Sequence, residues 1–72
     1  MDKNKLRGAI YSKYPSMSAF ADEIGWHRQR LHSIVNGKQI PNINDVKTIR
    51  QGLRLTRDEA VDIFLSEKSI NT

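Results

Sequence analysis

The sequence has no cysteine, two prolines, four glycines, and only one tryptophan, two tyrosines and two phenylalanines in 72 residues. Without cysteine there is no disulfide, no thiolate nucleophile and no cysteine-based zinc site, so packing must hold the fold. No segment approaches the roughly 20 consecutive apolar residues that span a bilayer. The opening Met1-Asp2-Lys3-Asn4-Lys5 is charged and lacks the apolar stretch of a signal peptide, so a cytoplasmic protein without a membrane partner is expected. Repeats, low-complexity tracts and linkers are also missing. A chain this short buries only about 60% of its unfolded surface, which supports one small core, here a single domain over 1–72, and no cleft between domains.

Catalytic patterns are equally scarce. His27 and His32 lie roughly 140° apart around a helix and do not form the i, i+4 pair that a metal favours. Asp22 and Glu23 are adjacent on one helix and do not converge on one site as an acid and base would. No glycine-rich phosphate loop follows a strand. The expectation is a non-enzyme with no metal, cofactor or small-molecule ligand.

Basic charge is what the chain does have. Lysine and arginine number 12 against 8 acids, a net charge of +4. Its distribution is uneven: Arg28, Arg30, Lys38, Lys47, Arg50, Arg54 and Arg57 follow Gly25 with Asp45 as the only acid among them. Beyond them the sign reverses, with Asp58, Glu59, Asp62 and Glu67 against Lys68. A basic middle suits a polyanion, and an acidic end suits a face turned away from it. A solvated basic face is the plainer alternative.

Apolar periodicity predicts an all-α chain of five helices. Helix 1 runs from about Asp2 or Asn4 to Lys13, with Leu6, Ala9, Ile10 and Tyr14 inward, and Pro15 stops it. Gly8 within it either marks a close helix contact or is an ordinary tolerated glycine. Ser16 suits the N-cap of helix 2, which ends at Gly25. Helix 3 spans about His27 to Val35, and Asn36-Gly37 tolerate the left-handed conformation that leaves it. Asn42 or Asn44 caps helix 4, with Val46, Ile49 and Leu53 at i, i+3 and i+7. Thr56-Arg57-Asp58-Glu59 has the form of a capping box and opens helix 5 through about Leu65, with a frayed tail after 67.

Within this frame, 16–36 reads as two short helices crossing at close range. Phe20, Ala21 and Ile24 share one stripe, Gly25 allows a sharp turn, and Trp26, Leu31 and Ile34 resume the apolar face. Trp26 is assigned to the core and not to a stacking platform. Such a unit commonly presents its second helix to DNA. The arrangement resembles the helix-turn-helix of the Cro and lambda-repressor family over about Leu6 to Leu65. The matching residues are Ser16 with Phe20-Ala21 and Gly25, then Asn36-Gly37-Lys38-Gln39-Ile40-Pro41, then Val46 with Ile49. Departures are Met17 where many members carry glutamine, His27 for the usual Ser or Thr, and Arg54 for the glycine that commonly ends helix 4. The resemblance implies a compact five-helix lambda-repressor-like domain. It also implies a sequence-specific regulator, most like a small phage or mobile-element repressor.

On that reading Arg28, Gln29, His32 and Ser33 face the major groove. Arg28 suits guanine O6 and N7, Gln29 suits adenine N6 and N7, and His32 or Ser33 can reach a base edge or a thymine methyl. Phosphate contacts are expected from Ser16, Met17 and Ser18 at the start of helix 2, and from Asn42, Asn44 and Lys47 at the start of helix 4. His27, Arg30, Asn36 and Lys38 join them. Ala60, Val61, Ile63, Phe64 and Leu65 occupy more of helix 5 than one core stripe uses, so a homodimer is expected through Val61, Ile63, Phe64 and Leu65, formed free or only on DNA. The rival reading is a protein-binding module of antitoxin or antirepressor type that uses DNA weakly or not at all.

Overall fold

Four of the five described helices start where a side chain takes over an orphaned backbone amide, and the third is the exception. The computed structural model describes residues 1–65, with α1 at Lys3–Lys13, α2 at Met17–Ile24, α3 at Arg28–Val35, α4 at Ile43–Leu53 and α5 at Arg57–Phe64. Asp2 caps α1 by accepting from the Lys5 amide at 3.1 Å, and Ser16 Oγ caps α2 by accepting from the Ala19 amide at 3.1 Å. α4 and α5 carry reciprocal boxes, Asn42 with Asp45 and Thr56 with Glu59. Each such cap contributes about 1 kcal/mol. Asn42, not Asn44, caps α4. The expected frayed tail after 67 lies outside the described residues.

The helix ends are equally specific. Tyr14, extended before Pro15, closes α1. Gly25 closes α2 in the left-handed region at φ 74°, which lets the chain reverse over three residues into α3. After α3, Asn36 stays right-handed and Gly37 at φ 81° makes the left-handed step that the pair was expected to share. Arg54 adopts φ 55°, ψ 43° at the end of α4, the position where the resemblance anticipated a glycine.

All five helices enclose one core. Leu6 and Ile10 from α1, Phe20 from α2, Leu31 and Ile34 from α3, and Ile49 and Leu53 from α4 are wholly inaccessible. Ala9, Tyr14, Ile24, Trp26 and Phe64 pack against them half-buried, so the tryptophan belongs to the core as expected. α2 packs on α1, α3 and α4, whereas α5 packs chiefly on α1. No helix among the described residues is long and apolar enough to cross a membrane.

Two helical glycines have opposite meanings. A Cβ at Gly8 would meet nothing within 4 Å, so Gly8 is an ordinary exposed glycine and marks no close contact. A Cβ at Gly52 would come within 2.6 Å of Ile24 Cγ2 and 2.8 Å of Phe20 Cε1, both side chains of α2. α4 therefore lies against α2 at a distance that only glycine permits. Tyr14 secures the same place, its hydroxyl donating to the Gly52 carbonyl at 3.0 Å while its ring packs 5.0 Å from that of Phe20.

Candidate nucleic-acid interface

α3 is divided lengthwise by its own periodicity. Leu31, Ile34 and Val35 are buried, and Arg28, Gln29 and His32 are exposed on the other side with Ser33 half-buried beside them. These four line one shallow depression together with Asn36 and Lys38. The structure thus brings the expected base-reading set together with two of the expected phosphate contacts. Among the described residues no acid lines the depression, and the side chains of Arg28, Gln29, His32, Ser33 and Lys38 carry no internal hydrogen bond. Chemically this is a surface of donors and mixed donor-acceptors with two permanent cations.

Two residues of α1 join that surface although periodicity alone marks them only as polar helix positions. Arg7 Nη2 donates to Asn36 Oδ1 at 2.9 Å. The Lys3 stem lies beside Gly37, its Cδ 3.1 Å from where a Cβ would stand. Both contacts link positions about thirty residues apart, a separation that no local pattern encodes.

The remaining expected phosphate residues are spread over other parts of the surface. Ser16 spends its hydroxyl on the α2 cap, Ser18 is half-buried, and the Met17 side chain is buried in the core, leaving only its amide for an anion. Asn42 likewise spends its side-chain oxygen on the Asp45 amide at 2.8 Å. Asn44 and Lys47 are exposed on α4, and His27 is exposed at the N-cap of α3 without a side-chain capping bond. None of these residues lines the α3 depression.

Arg30 has a second task. Its guanidinium lies 4.2 Å over the Trp26 ring and donates through Nη2 to Asp45 Oδ1, while Asp45 Oδ2 accepts from the Asn42 amide at 3.1 Å. Asp45 is buried and the Arg30 side chain is 43% exposed. One carboxylate therefore caps α4 and anchors α3 to it, which sets the angle at which the exposed face of α3 is presented. The cation over the ring adds about 0.5–1 kcal/mol at such a half-exposed site.

The expected dimer face needs correction. Ile63 is only 5% exposed, because α1 lies across that side of α5: the Asp2 amide donates to the Ile63 carbonyl at 2.7 Å and Lys5 Nζ pairs with Asp62 at 2.7 Å. Ala60 is buried and Phe64 packs half-buried against the core, which leaves Val61 and Leu65 exposed. The five apolar positions of α5 were thus mostly core. Comparisons of the chain with protein-family models, curated proteins and solved structures find no match.

Proposed function

We propose that this protein is a sequence-specific double-stranded DNA-binding regulator, of the kind a phage or mobile element uses to repress a promoter, and that α3 lies in the major groove. The observation that carries this reading is the acid-free face of α3, whose side chains are uncommitted while the opposite face is buried. A helix fits the groove only if one side is free of tertiary contacts, and base reading needs donors with no internal partner to displace. Arg28 would donate two bonds to guanine, Gln29 would pair with adenine, and His32 and Ser33 would read the neighbouring step. Lys38, Asn36 and Lys47, with Arg7 and Lys3 from α1, would bind phosphates and fix register without reading sequence. The amides at the starts of α2, α3 and α4 add donors of the same kind.

Selection from a random DNA pool supplies the preferred site on which this reading is tested. On it, Arg28→Ala should cost roughly 1–3 kcal/mol and relax preference at one base pair, while Lys38→Ala weakens all sequences alike and lowers the salt slope by about one. Titrations of matched and mismatched duplexes separate the two effects. If Arg28→Ala leaves discrimination intact, α3 is not the reader.

A further inference from the structure

The α4 and α5 helices leave an open groove between them, apart from the α3 depression but sharing Lys47 with the proposed phosphate contacts. Val46, Ala60 and Phe64 form its floor. Its edges are apolar side chains left in water: Ile43 on α4 is 77% exposed, Leu65 at the end of α5 60%, Val61 44%, and Ile40 in the preceding loop 89%. Large aliphatics exposed singly are ordinary, but four around one groove form a patch. Among the described residues, the charged side chains lining the groove are Lys47, Arg50 and Arg57, all cations. Arg50 Nε donates to the Leu55 carbonyl at 3.3 Å, which holds its guanidinium at the rim.

These two properties select the occupant. Nucleic acid would neutralise the cations and leave the isoleucines in water. A second copy docked groove on groove about a two-fold axis would set three cations against three. A chain with apolar side chains on one face and carboxylates beside them satisfies both the floor and the rim. The positions Ile43, Val46, Lys47 and Arg50 run at i, i+3, i+4 and i+7, so the α4 wall is about 10 Å long and matches two turns of a helix. We propose that this groove docks an acidic amphipathic helix of another protein. The site shares no residue with the base-reading set of α3 and meets the proposed phosphate contacts at Lys47, so base reading would persist with a protein partner bound.

The test titrates the isotopically labelled full chain with a synthetic helical peptide bearing leucine at i, i+3 and i+7 and glutamate elsewhere. A counterpart with lysine in place of glutamate serves as control. Binding of the glutamate peptide alone is expected, with shifts centred on Ile43, Val61 and Leu65. Arg57→Glu and Val61→Glu, both at exposed positions of α5, should each weaken it by about tenfold while the base preference of DNA binding and thermal melting stay at parental values. Arg57 opens the helix, so an acid there also suits the helix dipole and keeps α5 folded. Four results would overturn the proposal: no binding of the glutamate peptide, equal binding of the lysine peptide, a sedimenting dimer of the free chain that Val61→Glu dissociates, or a nuclear Overhauser contact between Val61 and Ile70 showing the groove filled by the chain's own end.

Discussion

α3 and α5 are both eight-residue helices entered through a left-handed residue, Gly25 at φ 74°, ψ 26° and Arg54 at φ 55°, ψ 43°, yet their first turns are held in different ways. α5 is closed from within: Thr56 Oγ1 accepts from the Glu59 amide at 3.1 Å and Glu59 accepts from the Thr56 amide at 2.8 Å. α3 has no such closure, because His27 makes no side-chain capping bond. It is held instead by Arg30, which reaches Asp45 on α4 and lies over Trp26. The difference teaches where each helix gets its position. A helix that only completes a core can be specified by four consecutive residues. α3 is tied instead to its neighbours, and its first amides keep no side-chain capping partner.

The comparison breaks most sharply at Asp45. Asp45→Ala removes the acceptor of the Arg30 guanidinium and of the Asn42 amide together. Arg30 is half-exposed and can be rehydrated, so the loss falls short of that for a fully buried pair and should reach about 2–3 kcal/mol. The equivalent change in α5, Glu59→Ala, removes one exposed bond and should cost about 1 kcal/mol or less. Urea melts of the two variants measure the difference. Equal costs would mean that α3 is not held from α4.

The two left-handed residues give the next largest effect. Gly25→Val puts a β-branched side chain at positive φ, at a cost of about 2 kcal/mol. Arg54→Gly works the other way: relief of a left-handed penalty of about 1–2 kcal/mol outweighs the 0.5–1 kcal/mol or so that glycine loses in chain entropy. The expected net is a gain of a few tenths to about 1 kcal/mol, read as a rise in melting temperature. A loss of stability in Arg54→Gly would show that the arginine side chain contributes contacts that outweigh its backbone strain.

What was legible in the sequence follows the same division. The Thr56-Glu59 box, the Ser16 cap, the Gly25 turn and the stop at Pro15 depend on residues within four positions of one another, and each stands where local chemistry put it. The exposed set Arg28, Gln29 and His32, with half-buried Ser33 beside it, was legible because the helix period sets it opposite Leu31, Ile34 and Val35. Contacts between distant elements were not. Arg30 was expected only as a phosphate contact because Asp45 lies fifteen positions away, and Gly52 takes its meaning only from the packed α2 side chains. Ile63 and Val61 are two places apart on one apolar helix, and the choice of which is buried was made by α1 lying across α5.

The smallest effect is electrostatic and separates the two helices by pH. The hydrogen bond from the Thr56 amide outweighs the opposing effect of desolvation and, with smaller help from the Thr56 hydroxyl and the charge of Lys13, holds the Glu59 carboxyl below its ordinary value of 4.5. A depressed folded value means that the charged form is favoured by folding. Its stabilisation is therefore complete above the unfolded value and disappears as pH falls through the lower folded one. Lys5 has the opposite sign, raised above its ordinary 10.5 chiefly by its hydrogen bond to Asp62, so its contribution is present at low and neutral pH and is lost only in strong alkali. Glu59→Gln isolates the charge, because glutamine can still accept from the Thr56 amide. The parent should be slightly more stable than Glu59→Gln at about pH 6, and the gap should close as pH falls toward about 3, as protonation makes the two side chains alike. Amide protection in the first turn of α5 should follow this gap while the first turn of α3, which has no side-chain cap to titrate, shows no difference between parent and variant. A gap that persists unchanged to the acid end would mean that the Glu59 charge does not hold the start of α5, and that the bond geometry alone does.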